Sequence, residues 1–126
     1  MSEHRLQNEI RNALAGHCFA FRANVGQAWA GDATKLPDGS VLIRNARPFS
    51  TGLPPGFSDL FGFVQVEITQ EMVGQRLAVF HALEIKAPGG RVMPKQAAFL
   101  GAVQKNGGRA GVARSAADAL AIVKGA

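Results

Sequence analysis

The chain has 126 residues, 47% hydrophobic and 18% charged, which fits one folded domain and excludes a disordered chain. Fourteen Lys and Arg against nine Asp and Glu leave a formal charge of +5, a balance that favours a polyanionic partner. The single cysteine, Cys18, excludes an internal disulfide framework, no apolar run reaches the ~20 residues that cross a bilayer, and the charged N-terminus is no secretory signal, so a cytoplasmic protein without a membrane partner is expected.

Residues 3–16 read as a helix, with Leu6, Ile10, Ala13 and Leu14 on one face, Ser2 as its cap and Gly16 as its stop. Cys18 to Asn24 alternates weakly, as a strand does. From Val25 to Ser58 the chain is rich in Gly, Pro and Asp and reads as a long loop carrying at most a hairpin, with Val41-Leu42-Ile43 as a strand-like island. Asp59 to Ile68 is expected to be a central strand covered on both faces, because Leu60, Phe61, Phe63, Val64 and Val66 leave neither face polar. A turn over 70–75 leads into another strand, Arg76 to Ala87, which Pro88-Gly89-Gly90 stops. Pro94 opens a second helix, with Phe99, Leu100 and Val103 on one face and Asn106-Gly107-Gly108 at its end. Arg109 to Arg114 reads as a short strand, and Ser115-x-x-Asp118 starts a last helix through Lys124. The order helix, three strands, helix, strand, helix predicts an α/β domain over residues 1–126, a mixed sheet with helices packed on it.

The chemistry concentrates at Asp59 and at Glu84-Ile85-Lys86. In a strand, Glu84 and Lys86 share one face while Leu83, Ile85 and Ala87 share the other. A Glu and a Lys aimed together in an apolar run are costly to bury, whereas carboxylates can hold Mg²⁺ against a phosphate and an ammonium can manage water or negative charge. An exposed edge strand with alternating charges is the plainer alternative. Glu9 lies at the edge of the first helix's apolar face, either as a boundary residue or as a third acidic group. Gln96 sits on the apolar stripe of the second helix, where a buried amide needs partners; Lys86, a phosphate or a backbone carbonyl would serve. His4, His17, His81 and Cys18 lack zinc-ligand spacing, Gly26-x4-Gly31 is not followed by Lys-Ser/Thr, and there is no Gly-x-Ser-x-Gly elbow.

Taken in order, these pieces resemble a stand-alone VRR-NUC (virus-type replication-repair nuclease) domain, a branch of the PD-(D/E)xK nuclease superfamily. The likeness rests on Glu9, Arg22-Ala23-Asn24-Val25-Gly26, Gly56-Phe57-Ser58-Asp59-Leu60, Val79 to Lys86, Gly90, Gln96 and the Gly-Gly-x-Ala-x-Val run from Gly107. Ser58 rather than Pro precedes the aspartate, as it does in this branch. The resemblance implies a restriction-endonuclease-like core, a mixed central sheet flanked by helices. It also implies a Mg²⁺- or Mn²⁺-dependent deoxyribonuclease of a bacterial host or phage-infected cell, a homodimer acting on branched DNA. By that likeness Asp59, Glu84 and the Ile85 carbonyl ligate the metal, Glu9 assists, Lys86 acts as base or charge stabiliser, and Gln96 orients Lys86 or the scissile phosphate. Arg22, Lys35, Arg44, Arg47, Arg91 and Lys95 are the expected contacts to the DNA backbone. Trp29 and Phe49 are candidates for stacking on unpaired bases. The alternative is a nuclease-like fold that binds nucleic acid without cutting it.

Overall fold

The computed structural model describes residues 2–125, so the two end residues of the expected 1–126 domain lie outside the described residues. The chain falls into two compact units, Met1–Gly62 and Phe63–Ala126.

In the first unit, helix α1 spans Glu3–Leu14, and Ser2 Oγ accepts from the Arg5 amide at 3.2 Å, as its sequence position predicts. Gly16, just past the helix, takes the left-handed φ of 82° that a stop of this kind requires. The apolar stripe of α1 is not buried as expected: none of its residues is, and Leu6 and Ile10 stay well exposed. Strand β1 (Phe19–Arg22) pairs with β4 (Leu60–Phe63), whose last residue falls past the boundary of the unit. Gly62 makes the close pairing possible, because a Cβ there would collide with the Phe19 carbonyl.

Between them lies the hairpin that the expectation allowed for, longer than the Val41-Leu42-Ile43 island suggested. The Gly- and Pro-rich segment holds a long antiparallel hairpin, β2 (Gln27–Lys35) against β3 (Val41–Ser50), turned by Leu36 to Ser40. Asp38 fixes the turn: its carboxylate accepts from the Ser40 hydroxyl at 2.5 Å and the Ser40 amide at 2.9 Å, and the first of these bonds chiefly lowers its pKa. A bulge interrupts the ladder. Ala30 pairs with Arg47 and Asp32 with Arg44, so Asn45 and Ala46 stand opposite the single Gly31.

The second unit is a parallel βαβ unit with a further helix. Strand β5 (His81–Ile85) leads through α2 (Pro94–Lys105) to β6 (Arg109–Ala113), in register His81↔Arg109 to Ile85↔Ala113, and α3 (Ala116–Lys124) follows. Ser115 Oγ caps α3 through the Asp118 amide at 3.1 Å, and Gly125 closes it at φ 78°. The core is Leu100, the fully buried Val103 and Ala110, with Phe63, Phe80, Ala82 and Val112 packed on it. Ala82, Glu84, Ala110 and Val112 share the face of the strand pair that meets α2. Gly111 points the other way, towards α3, where a Cβ would come within 2.9 Å of Ile122 Cδ1.

Both long strands of the expectation are shortened. Asp59 to Ile68 yields only the four residues of β4, and Arg76 to Ala87 only the five of β5. Val64, Val66, Ile68, Leu77 and Val79 remain exposed, so the runs lack the cover that a central strand needs. The described strands accordingly pair as three two-stranded sheets, not as the expected single central sheet. The mixed α/β character, parallel and antiparallel pairs with three helices, is as expected.

Candidate active site

Glu84 and Lys86 stand at the carboxyl end of β5, where parallel strands in α/β folds commonly present their ligands. The period of two holds. Lys86 Nζ lies 3.5 Å from Glu84 Oε1, with the two side chains 21% and 28% exposed, while Ile85 faces outward at 77%. The pair is thus set into the α2 face of the strands and the apolar neighbour is left in solvent. An alternating edge strand would have the reverse arrangement.

Gln96 completes the group, though not through the partner expected from sequence. Its Nε2 donates to Glu84 Oε1 at 2.9 Å, and its Oε1 accepts from the Met93 amide, also at 2.9 Å. The second contact is half of a capping box: Met93 is the N-cap of α2, Pro94 opens the helix and Gln96 is its third residue. Capping therefore fixes the amide plane and aims the NH₂ end at the carboxylate. Glu84 Oε1 receives both contacts, and among the described residues Oε2 accepts no hydrogen bond.

The segment after Lys86 is tied down as well. The Lys86 amide donates to Ala113 O at 3.1 Å, extending the β5–β6 ladder by one bond. The Arg114 guanidinium donates to Ala87 O at 2.8 Å and Gly90 O at 2.9 Å, clamping the Pro88-Gly89-Gly90 turn. Asp118 Oδ2 holds the Arg114 amide at 2.9 Å. Sequence reading missed Arg114; a lone arginine after a strand gives no signal of bonds to backbone 24 and 27 residues earlier.

Asp59 and Glu9 belong to the first unit. Asp59 directly precedes β4; its carbonyl accepts from the Ala23 amide at 2.9 Å, and its exposed carboxylate has no partner among the described residues. Phe57 and Phe61, two residues to either side, meet edge to face at 5.5 Å, and Phe61 also contacts Phe21 at 5.6 Å, so aromatic packing brackets the aspartate. Glu9 is exposed on α1 and stands 3.9 Å from Arg5 Nε, a surface pair one helical turn apart. The structure thus brings Glu84, Lys86 and Gln96 together in the second unit. Within neither unit do three His, Cys, Asp or Glu side chains gather as a metal-holding group among the described residues.

The six cations expected to face DNA, Arg22, Lys35, Arg44, Arg47, Arg91 and Lys95, are all exposed, and among the described residues none of their side chains has a hydrogen-bond or ion-pair partner. A cavity of about 580 Å³ in the first unit, between α1 and β1, contains none of the expected catalytic residues. No described helix is long and apolar enough to cross a membrane.

This geometry sits within a chain whose sequence matches the VRR-NUC domain family over residues 2–117. The chain belongs to the VRR-NUC family. A nuclease-type function follows from that membership, and the match runs through Glu9, Asp59, Glu84, Lys86 and Gln96 alike. No curated protein and no solved structure matches the chain.

Proposed function

We propose that this VRR-NUC chain is a metal-dependent deoxyribonuclease that hydrolyses DNA phosphodiesters, working in the cytoplasm of a bacterial host or phage-infected cell. The observation that carries the reading is the Glu84–Lys86–Gln96 group: a half-buried carboxylate, an ammonium beside it and an amide held by a helix cap. A structural ion pair would not need its orientation fixed from a second element.

The donor set fits a hard divalent cation. Glu84 offers Oε2 as an anionic oxygen oriented before any ion arrives, as Mg²⁺ or Mn²⁺ requires. Glu84 and the Ile85 carbonyl are the proposed ligands in the second unit; Asp59, with Glu9 in support, enters by the family resemblance. When bound, such an ion polarises the phosphate and acidifies a coordinated water. Lys86 holds its ammonium where negative charge grows on the phosphoryl oxygens, or, as the neutral amine, takes up the proton of the attacking water. Gln96 keeps Glu84 in one rotamer, a supporting role of the kind typically worth about 10–100-fold in metal affinity or activity. A core resembling PD-(D/E)xK nucleases is part of the same proposal.

The test is cleavage of linear duplex, single-stranded, flapped and four-way DNA with Mg²⁺, Mn²⁺ or chelator. Cleavage that needs the metal and is lost in Lys86→Ala supports the reading. DNA binding without cleavage under every metal condition would make the chain a non-catalytic binding module.

A further inference from the structure

The β2–β3 hairpin projects two arginines on one side only because its ladder is broken. Arg44 and Arg47 are three residues apart, and in a regular strand they would point to opposite faces. The bulge supplies the missing half-step. Arg47 pairs with Ala30 and Arg44 with Asp32, two positions apart on β2, so both arginines share a face with Phe49, the partner of Ala28. The backbone carries the signature of the device: Asn45 has φ 54°, the one positive value outside glycine among the described residues. Gly31 opposite has no room for a side chain, since a Cβ would lie 2.7 Å from Arg44 O and 2.8 Å from Ile43 Cγ2. Asn45 Nδ2 also donates to Asp32 Oδ2 at 2.9 Å, engaging the one carboxylate on the arginine face.

The other face carries Trp29, Pro48, Ile43 and Val41, with Lys35 its only cation, so the two sides differ in character. Arg44, Arg47 and Phe49 are exposed, and neither guanidinium has a partner among the described residues. Nine residues of strand extend about 30 Å, close to one turn of B-DNA at roughly 34 Å. The major groove, about 12 Å wide, admits a two-stranded ribbon. Across the bulge the arginines are separated by two strand positions, about 7 Å, which is about two nucleotide steps at 3.4 Å per strand.

We propose that the β2–β3 ribbon is a duplex-binding arm that enters the major groove of DNA with its Arg44–Arg47–Phe49 face, and that the Asn45 bulge exists to align the two guanidiniums. The inference rests on the reading of the chain as acting on DNA. It adds an element whose task is to hold duplex, a role different from that of Glu84 and Lys86.

The experiment is fluorescence anisotropy of a labelled 20-base-pair duplex with the full chain in chelator, over a salt series. The Arg44→Ala/Arg47→Ala variant is expected to bind at least tenfold more weakly, with the salt slope reduced by about 1.8, or about 0.9 for each lost phosphate contact. Asn45→Gly keeps the backbone conformation and binds within about twofold of the parent. Asn45→Val, β-branched where φ is positive, weakens binding although both arginines remain. Methyl green, a major-groove ligand, competes, and the minor-groove ligand netropsin does not. Parent-like affinity and slope in the double-arginine variant would overturn the proposal, as would competition by netropsin alone. Hydrolysis of bis(4-nitrophenyl) phosphate separates this from the nuclease reading. A double variant that hydrolyses the small ester like the parent while losing duplex supports the arm. A parent inert on the small ester and on DNA overturns the nuclease and leaves the arm to be judged by binding.

Discussion

Gln96 has two polar ends, and the fold uses each for a different purpose. Its carbonyl end caps α2 and its amide end holds Glu84. Two substitutions separate these tasks. Gln96→Glu keeps an acceptor for the Met93 amide but loses the donor to Glu84, whereas Gln96→Ala loses both. If the Glu84 contact matters for turnover, both variants slow cleavage by about 10–100-fold, while only the alanine loses the ~1 kcal/mol expected of a cap. Restored cleavage in Gln96→Glu would mean that Gln96 serves the helix alone. Lys86→Ala and Asp59→Asn are expected to reduce cleavage by at least about a hundredfold with little change in DNA affinity, because in the proposed reaction Asp59 holds the metal and Lys86 acts on the attacking water or the charge that develops. Glu9→Ala gives a clean reading for a different reason. Its pairing with Arg5 is exposed and worth at most about 0.5 kcal/mol, so lost cleavage at unchanged Tm would assign Glu9 to the reaction. Unchanged cleavage would return it to the surface.

Elements differ in how openly the sequence announces them, and the difference is one of range. The three helices were legible because their signals are local: Ser2 and Ser115 at caps, Pro94 at a first turn, and Gly16 as a left-handed stop. Glu84 and Lys86 were legible as a pair for the same reason, since two residues suffice to set their common face. The hairpin was allowed for, but its length was hidden because the Asn45–Ala46 bulge shifts the alternation midway and Gly and Pro dilute the rest. The run after Asp59 was read as too long a strand because apolar residues on both faces say nothing of what lies beside them. The contact of Gln96 with Glu84, and the Arg114 clamp, span 12 to 27 residues and leave no local trace. That clamp has a measurable consequence. Arg114→Ala frees two carbonyls of the Pro88-Gly89-Gly90 turn, and a loss of about 1–2 kcal/mol is expected by denaturant unfolding; Arg114→Lys, without the fork, should recover only part. At the hairpin tip, the lowered pKa of Asp38 means that its bonds to Ser40 favour the ionised form. Their support of the turn is complete above the ordinary aspartate pKa and disappears as pH falls through the lower folded value. The Ser40 amide resonance should follow that titration, and Asp38→Asn should abolish it.

At the scale of the whole molecule, the small core contrasts with the apolar surface left outside it. Leu100, Val103 and Ala110 are buried, yet Val64, Val66, Ile68 and Val73 are more than half exposed, as are Leu77 and Leu120. Apolar side chains left open in such numbers are of the kind that a protein partner covers. The occupant proposed here is a second copy of the chain. A homodimer also answers a problem of function, because +5 is a modest charge for holding DNA, and a two-fold pair doubles it. Two sites at a fixed separation suit a substrate with two equivalent strands, so the dimer is expected to prefer a four-way junction to linear duplex. Light scattering at micromolar concentration is expected to give twice the chain mass. Val66→Asp and Ile68→Asp, which place charge on that surface, should shift the mass towards one chain without unfolding it. With the dimer dispersed, the preference for junction over duplex should fall towards unity while the small phosphodiester is still hydrolysed. A monomer mass in the parent removes the dimer. Equal cleavage of junction and duplex by a confirmed dimer removes the junction preference and leaves the nuclease assignment standing.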